Sequence, residues 1–136
     1  MAYQYIVLHK EGGIATLTLN RPEKLNAIGM DVIAEISAGI KEADDDQKVR
    51  VLILTGAGRA FCAGGNFKDG ENTPAAFAAA EHLDPIWLSE QIYGYVMSVV
   101  GRLQKLRMPT IAMVNGVAAG AGFSMAQACD MRVGSD

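Results

Sequence analysis

The sequence is poor in the side chains from which catalytic and metal sites are most often assembled. Two histidines, His9 and His82, and two cysteines, Cys62 and Cys129, are spread over 136 residues. There is no C-x-x-C pair and the cysteines lie far apart, so neither a zinc site nor a disulfide framework is indicated. Both read as small buried hydrophobes. Basic residues are outnumbered, 12 Lys and Arg against 15 Asp and Glu, which leaves a net charge of −3. That balance does not supply the basic patch a nucleic-acid-binding surface needs. Met1 to Lys10 lacks a basic stretch followed by an apolar core, so no signal peptide is expected. The weakly polar run from Met108 to Cys129 contains Pro109, Asn115 and Gln127, and reads as strand, loop and helix rather than a membrane span. These absences predict a soluble, cytoplasmic chain with no nucleic-acid or membrane partner.

What is present is ordinary globular material. Half of the residues are hydrophobic and a fifth are charged, and the length allows one domain with a real core. Tyr3 to His9 reads as a strand, Gly12-Gly13 as a turn, and Ile14 to Asn20 as its half-buried hairpin partner. From Asp31, the positions Val32, Ile33, Ile36, Ile40 and Ala43 fall at helical spacing. The helix should end before Asp44-Asp45-Asp46, because acidic residues oppose the dipole at a helix C-terminus. Val49 to Leu54 is a near-continuous apolar run, predicting a strand buried on both faces. A short helix is expected around Ala75 to Glu81, and a longer one from Ser89 to Arg107 with Ile92, Val96, Val99, Leu103 and Leu106 on its apolar face. Thr110 to Val114 and Asp130 to Val133 read as strands flanking a helix near Gly122 to Cys129. The order β-β-α-β-α-β-α-β is α/β. The sequence stops at Asp136, in or just after a strand, and is expected to be part of a longer fold.

Two glycine-rich loops organise this pattern. Arg59-Ala60-Phe61-Cys62-Ala63-Gly64-Gly65-Asn66-Phe67-Lys68 follows the strand ending at Leu54. Asn115-Gly116-Val117-Ala118-Ala119-Gly120-Ala121-Gly122-Phe123-Ser124 follows the strand ending at Val114. Small residues let a ligand approach the main chain, which suits a site built from backbone N–H donors. Nucleotide motifs fail: Gly56-Ala57-Gly58 would need a third glycine where Phe61 stands, and there is no P-loop. Gly122-Phe123-Ser124-Met125-Ala126 misses the G-x-S-x-G nucleophile elbow at its last position, and Ser124 reads as a packing residue on a first helical turn.

Three blocks carry a family resemblance: Leu19-Asn20-Arg21-Pro22-Glu23-Lys24-Leu25-Asn26-Ala27, Leu54 through Gly65, and Pro109 through Asp130. In this order and spacing they closely resemble the crotonase (enoyl-CoA hydratase/isomerase) superfamily. The resemblance covers essentially the whole of residues 1–136 and corresponds to the N-terminal half of a family member. It implies a crotonase-like ββα spiral core, truncated here, forming the N-terminal part of an acyl-CoA-binding domain. It also implies a coenzyme A thioester as substrate with no further cofactor or metal, and a homo-oligomer, trimer or hexamer, for the full-length form.

Carried over residue by residue, the resemblance places the two oxyanion-hole N–H groups on Gly65 and Ala121. It places coenzyme A along Glu23, Lys24 and Leu25 and along Ala63, Gly64, Asn66, Phe67 and Lys68, with Arg59 and Lys68 facing the phosphates. Asn66 stands where family members commonly have aspartate. Ser124 occupies the position of a glutamate typical of the hydratases, and serine alone is no general acid or base at neutral pH. An isomerase-like enzyme of fatty-acyl metabolism is therefore the expected reading. The residues leave two alternatives open: an enoyl-CoA hydratase with relocated acid groups, and a non-catalytic acyl-CoA-binding or inert chain.

Overall fold

Alternation in Ile14–Leu19 decides which side of the sheet becomes core. Ala15, Leu17 and Leu19 are buried, while Thr16 and Thr18 between them are only partly covered. The computed structural model describes residues 2–65 and 85–136. In chain order the described elements are β1 (Ile6–Glu11), β2 (Ile14–Leu19), α1 (Met30–Asp45), β3 (Val51–Gly56), β4 (Ala60–Cys62) and α2 (Pro85–Tyr95). They continue with a π-helical turn (Val96–Val100), α3 (Gly101–Gln104), β5 (Thr110–Val114), β6 (Val117–Ala118), α4 (Ala121–Ala128) and β7 (Met131–Gly134). No helix among the described residues is long and apolar enough to cross a membrane.

The five longer strands form one sheet in the order β1-β2-β3-β5-β7. The β1–β2 hairpin is antiparallel, in register Ile6 to Leu19, and every later pair is parallel. Parallel neighbours require crossover connections, and α1, the α2–α3 helical segment and α4 supply the three among the described residues. The core lies on the side where Leu17, Leu52, Leu54 and Ala112 meet Val32, Ile36 and Ile40 of α1, and where Val99, Leu103 and Met125 close the layer.

Four expectations are corrected. The first concerns β3, which is not buried on both faces: Leu52 and Leu54 are buried, but Val51 and Ile53 are half-covered. The second is the end of α1, which runs on through Asp44 and Asp45. Cations from elsewhere offset the acidic terminus: Arg107 donates to the carbonyls of Asp44 (3.0 Å), Val49 (3.0 Å) and Asp46 (2.7 Å), and Lys10 pairs with Asp46 at 3.1 Å. Positive side chains at a helix C-terminus satisfy its open carbonyls and complement its dipole.

The third is the apolar face of the second long helix. Val96 is exposed and Tyr95 is buried. The π-turn starting at Val96 widens the helix by one residue, so that Tyr95, Val99 and Leu103 point inward. The helix also ends at Gln104, short of Arg107. The fourth concerns the glycine loops, each of which contributes a short strand. β4 and β6 pair with one another in parallel, Ala60 with Val117 and Cys62 with Ala118.

Candidate functional site

Three loops meet at the carboxyl ends of β2, β3 and β5. The first begins after β2 with a single 3-10 turn, Pro22–Lys24. Leu25 and Asn26 then both take left-handed backbone, with φ of 52° and 55°. For residues with a side chain this costs roughly 1–3 kcal/mol each and needs compensation from its surroundings. Asn26 provides it. Its Oδ1 accepts the Arg21 N–H (2.8 Å), and its Nδ2 donates to the carbonyls of Ala57 and Ala60 (2.9 Å each). The reversed chain is then stitched to the second loop. Ala63 N–H donates to Leu25 O (3.0 Å) and Ile28 N–H to Gly64 O (2.9 Å). Glu23 and Lys24 are exposed at the rim, and Leu25 is half-buried. Beneath them Arg21 is buried, its guanidinium 5.1 Å from the centre of the Tyr5 ring and 4.0 Å from the Glu23 carboxylate.

The second and third loops pack main chain on main chain. Asn115 bridges them: its Oδ1 accepts the Gly56 N–H (3.2 Å), and its Nδ2 donates to Gly58 O (2.9 Å) and Ala60 O (3.2 Å). Ala119 N–H donates to Cys62 O at 3.0 Å. A Cβ on Gly122 would stand 2.3 Å from Cys62 O, so no larger residue fits this approach. Gly64 (φ 107°) and Gly120 (φ 52°) face each other across the junction; a Cβ on Gly64 would lie 3.0 Å from Ala119 O and 3.8 Å from Gly120 Cα.

Gly65 and Ala121 are the residues immediately after these two facing glycines. Ala121 is also the first residue of α4, as expected. Among the described residues neither the Gly65 N–H nor the Ala121 N–H is taken up by a backbone acceptor. The wall behind them is apolar: Phe61 and Cys62 are fully buried. Burial pushes the Cys62 thiol up to about 11, so it stays protonated and packs as a hydrophobe.

Ser124 turns its hydroxyl back onto its own helix, donating to Gly120 O (3.1 Å) and Ala121 O (3.2 Å). This agrees with reading it as a first-turn packing residue. Ser124 and Phe123 also line a cavity of about 580 Å³ with Val100, Gln104, Gln127 and Arg132. Neither Gly65 nor Ala121 lines that cavity.

The structure thus joins the loop carrying Glu23, Lys24 and Leu25 to Ala63, Gly64 and Gly65, and brings Gly64 close to Gly120, the residue before Ala121. Arg59 stands apart at the start of β4, exposed, with its carbonyl where a Cβ on Gly116 would fall, 2.0 Å away. Asn66, Phe67 and Lys68, like His82 and the helix expected around Ala75 to Glu81, lie outside the described residues. Sequence reasoning assigned no role to Asn26, Asn115 or Tyr95. Asn115-Gly116 directly after a strand is a recognised turn signal for the second of these.

Residues 9–136 match the family model for enoyl-CoA hydratase/isomerase. The chain belongs to this family. It is 40% identical over 128 residues to a 1,2-epoxyphenylacetyl-CoA isomerase of Escherichia coli, an alignment covering 94% of the chain and 46% of that protein. It is 32% identical to a probable enoyl-CoA hydratase of Mycobacterium bovis, over the whole chain and 48% of that protein. An enoyl-CoA hydratase/isomerase from Xanthobacter autotrophicus superposes with a TM-score of 0.84 at 31% identity, covering 98% of the chain and 46% of its own. The chain spans about half the length of the curated hydratase/isomerase relatives it matches. The superposition gives the chain the mixed α/β fold of this family.

Proposed function

We propose that the protein acts on an acyl-CoA thioester and stabilises the enolate of its carbonyl with the backbone N–H groups of Gly65 and Ala121. The observation that supports this reading is the close approach of Gly64 and Gly120, together with N–H groups on the following residues, Gly65 and Ala121, that have no backbone acceptor among the described residues. Deprotonation next to a thioester is difficult because negative charge collects on one oxygen. Two fixed donors at that oxygen oppose the cost, and each is worth about 3 kcal/mol of barrier in comparable sites. Ala121 opens α4, so the helix dipole adds to its N–H. Coenzyme A would lie along Glu23, Lys24 and Leu25 and along Ala63 to Lys68, with Arg59 and Lys68 available to its phosphates.

The reaction we favour is movement of a double bond by proton transfer. Ser124 stands where a hydratase would place its glutamate, and its hydroxyl is committed to Gly120 O and Ala121 O. A single acid–base group other than Ser124 would suffice for isomerisation. The Escherichia coli relative is named an isomerase. Water addition is the second reading, favoured by the hydratase name of the Mycobacterium bovis relative.

The test is a near-UV difference spectrum with acetoacetyl-CoA, whose enolate absorbs where the keto form does not. An enolate band that Gly65→Pro abolishes is the expected result. A folded chain that gives no band would overturn the oxyanion-hole reading.

A further inference from the structure

We propose that Tyr95 is a positioning residue for the Ala121 N–H, an inference that rests on the oxyanion-hole reading above. Tyr95 is the last residue of α2, it is 9% exposed, and its hydroxyl donates to Ala121 O at 2.6 Å. This is a short contact between two residues 26 positions apart, across the boundary between the helical layer and the glycine loops.

Its effect follows from peptide planarity. The Ala121 N–H belongs to the Gly120–Ala121 peptide, in which C=O and N–H lie in one plane and point in opposite directions. The Gly120 carbonyl accepts from Ser124 N (3.0 Å) and Ser124 Oγ (3.1 Å), which ties that plane to the first turn of α4. The next peptide is tied through Ala121 O, which accepts the longer bond from Ser124 Oγ (3.2 Å) within α4 and the shorter one from Tyr95 (2.6 Å) across the fold. Ala121 is therefore clamped on both sides of its Cα. The clamp is needed because the residue before it, Gly120, sits at φ 52° and ψ −120°, a region open to glycine and able to rotate. Without the Tyr95 bond, the side-chain restraints on the start of α4 among the described residues come only from Ser124, within α4 itself.

The π-turn explains why a tyrosine reaches this carbonyl. Val96–Val100 widens the helix immediately after Tyr95 and carries Val96 to the surface, so the ring takes the inward position. Burial raises the phenol to about 12, so Tyr95 remains a donor throughout the neutral range. It is not a base here. It acts through Ala121 and not on the substrate.

The experiment is a pH titration of the enolate band of bound acetoacetyl-CoA in the wild-type chain and in Tyr95→Phe. The expected result is an enolate fraction about tenfold lower at a given pH, with the apparent pKa of the bound ligand about one unit higher. Affinity for free coenzyme A, which has no carbonyl to enolise, should not change. A bound-ligand pKa equal to that of the wild type would overturn the inference while leaving the oxyanion hole standing. A wild-type chain with no band would overturn both. If Tyr95→Phe does not fold, 3-fluorotyrosine at position 95 keeps the shape and strengthens the donor. The bound-ligand pKa should then fall, and an unchanged value would overturn the inference.

Discussion

Asn26 and Asn115, which lie 89 positions apart, donate to the same acceptor: the carbonyl of Ala60 takes both Nδ2 groups, at 2.9 and 3.2 Å. One amide comes from the reversed loop after β2, the other from the end of β5, and they hold the start of β4 between them. Ala60 O keeps a donor when either asparagine is lost and is orphaned when both are. Asn26→Ala and Asn115→Ala should each destabilise the chain by about 2–3 kcal/mol, because each strands other buried groups. The double variant should lose about 1 kcal/mol more than the sum. Urea unfolding of the four proteins measures this, and strict additivity would show that the shared carbonyl does not couple them.

Arg107 is the second target. Three of its N–H groups satisfy carbonyls at and just past the end of α1. Arg107→Met is expected to cost about 1–3 kcal/mol, since those carbonyls have few other donors within reach. Arg107→Lys should recover little of the loss, because an ammonium cannot span three acceptors as the planar guanidinium does. Thermal unfolding at matched pH provides the comparison.

Two glycine substitutions should have opposite signs. Gly94 lies in α2 with nothing among the described residues within 4 Å of a Cβ placed on it, so Gly94→Ala should stabilise by about 0.5–1 kcal/mol through helix propensity. Gly122→Ala puts a methyl 2.3 Å from Cys62 O and must separate the loops. It should abolish the acetoacetyl-CoA band and lower the melting temperature. A folded Gly122→Ala chain with the full band would mean that the two loops need not touch.

Stability should decline in alkali. Burial raises the thiols of Cys62 and Cys129 to about 11 from an ordinary 9.0. The phenols of Tyr3 and Tyr95 are raised to about 12 from 10.0, by burial in both and by the Glu42 carboxylate beside Tyr3. The folded state prefers the protonated form of each group. Its contribution is therefore complete below the ordinary value and is lost as pH climbs toward the raised one. Unfolding free energy should be flat in this respect up to about pH 9 and fall from there to about pH 12, through the thiols first and the phenols after them. Iodoacetamide at pH 8 should label both cysteines far more slowly in the folded chain than in urea. Equal rates would contradict the burial.

The longer elements were legible because local pattern and tertiary environment agree in them. Thr110–Val114 is β-rich, stopped by Pro109 on one side and Asn115-Gly116 on the other, and it forms as read. What could not be read depends on partners distant in sequence. β4 and β6 are three and two residues long, too short to leave a periodicity, and exist because each offers the other its main chain. The inward turn of Tyr95 was hidden because a π-turn breaks the 3.6-residue repeat on which the helical face was drawn. Asp44 and Asp45 were placed beyond α1 on dipole grounds that hold for a helix standing alone; Arg107, more than 60 positions away, reverses the balance. For the site, the glycine positions were visible. The two asparagines that organise them were not singled out, because an amide's value depends on the carbonyls it reaches.

The parallel pairing of β3 with β5 sets an order of events. Leu52 meets Thr110 and Leu54 meets Ala112, so this ladder closes only after a long stretch of chain has been gathered and its entropy spent. The β1–β2 hairpin and α1 can form before that moment. The facing of Gly64 and Gly120 cannot, since each loop is carried to its place by the end of one of these strands. A partly folded chain thus lacks the proposed acyl-CoA site, and a ligand that binds between the loops would act as a latch on the completed topology.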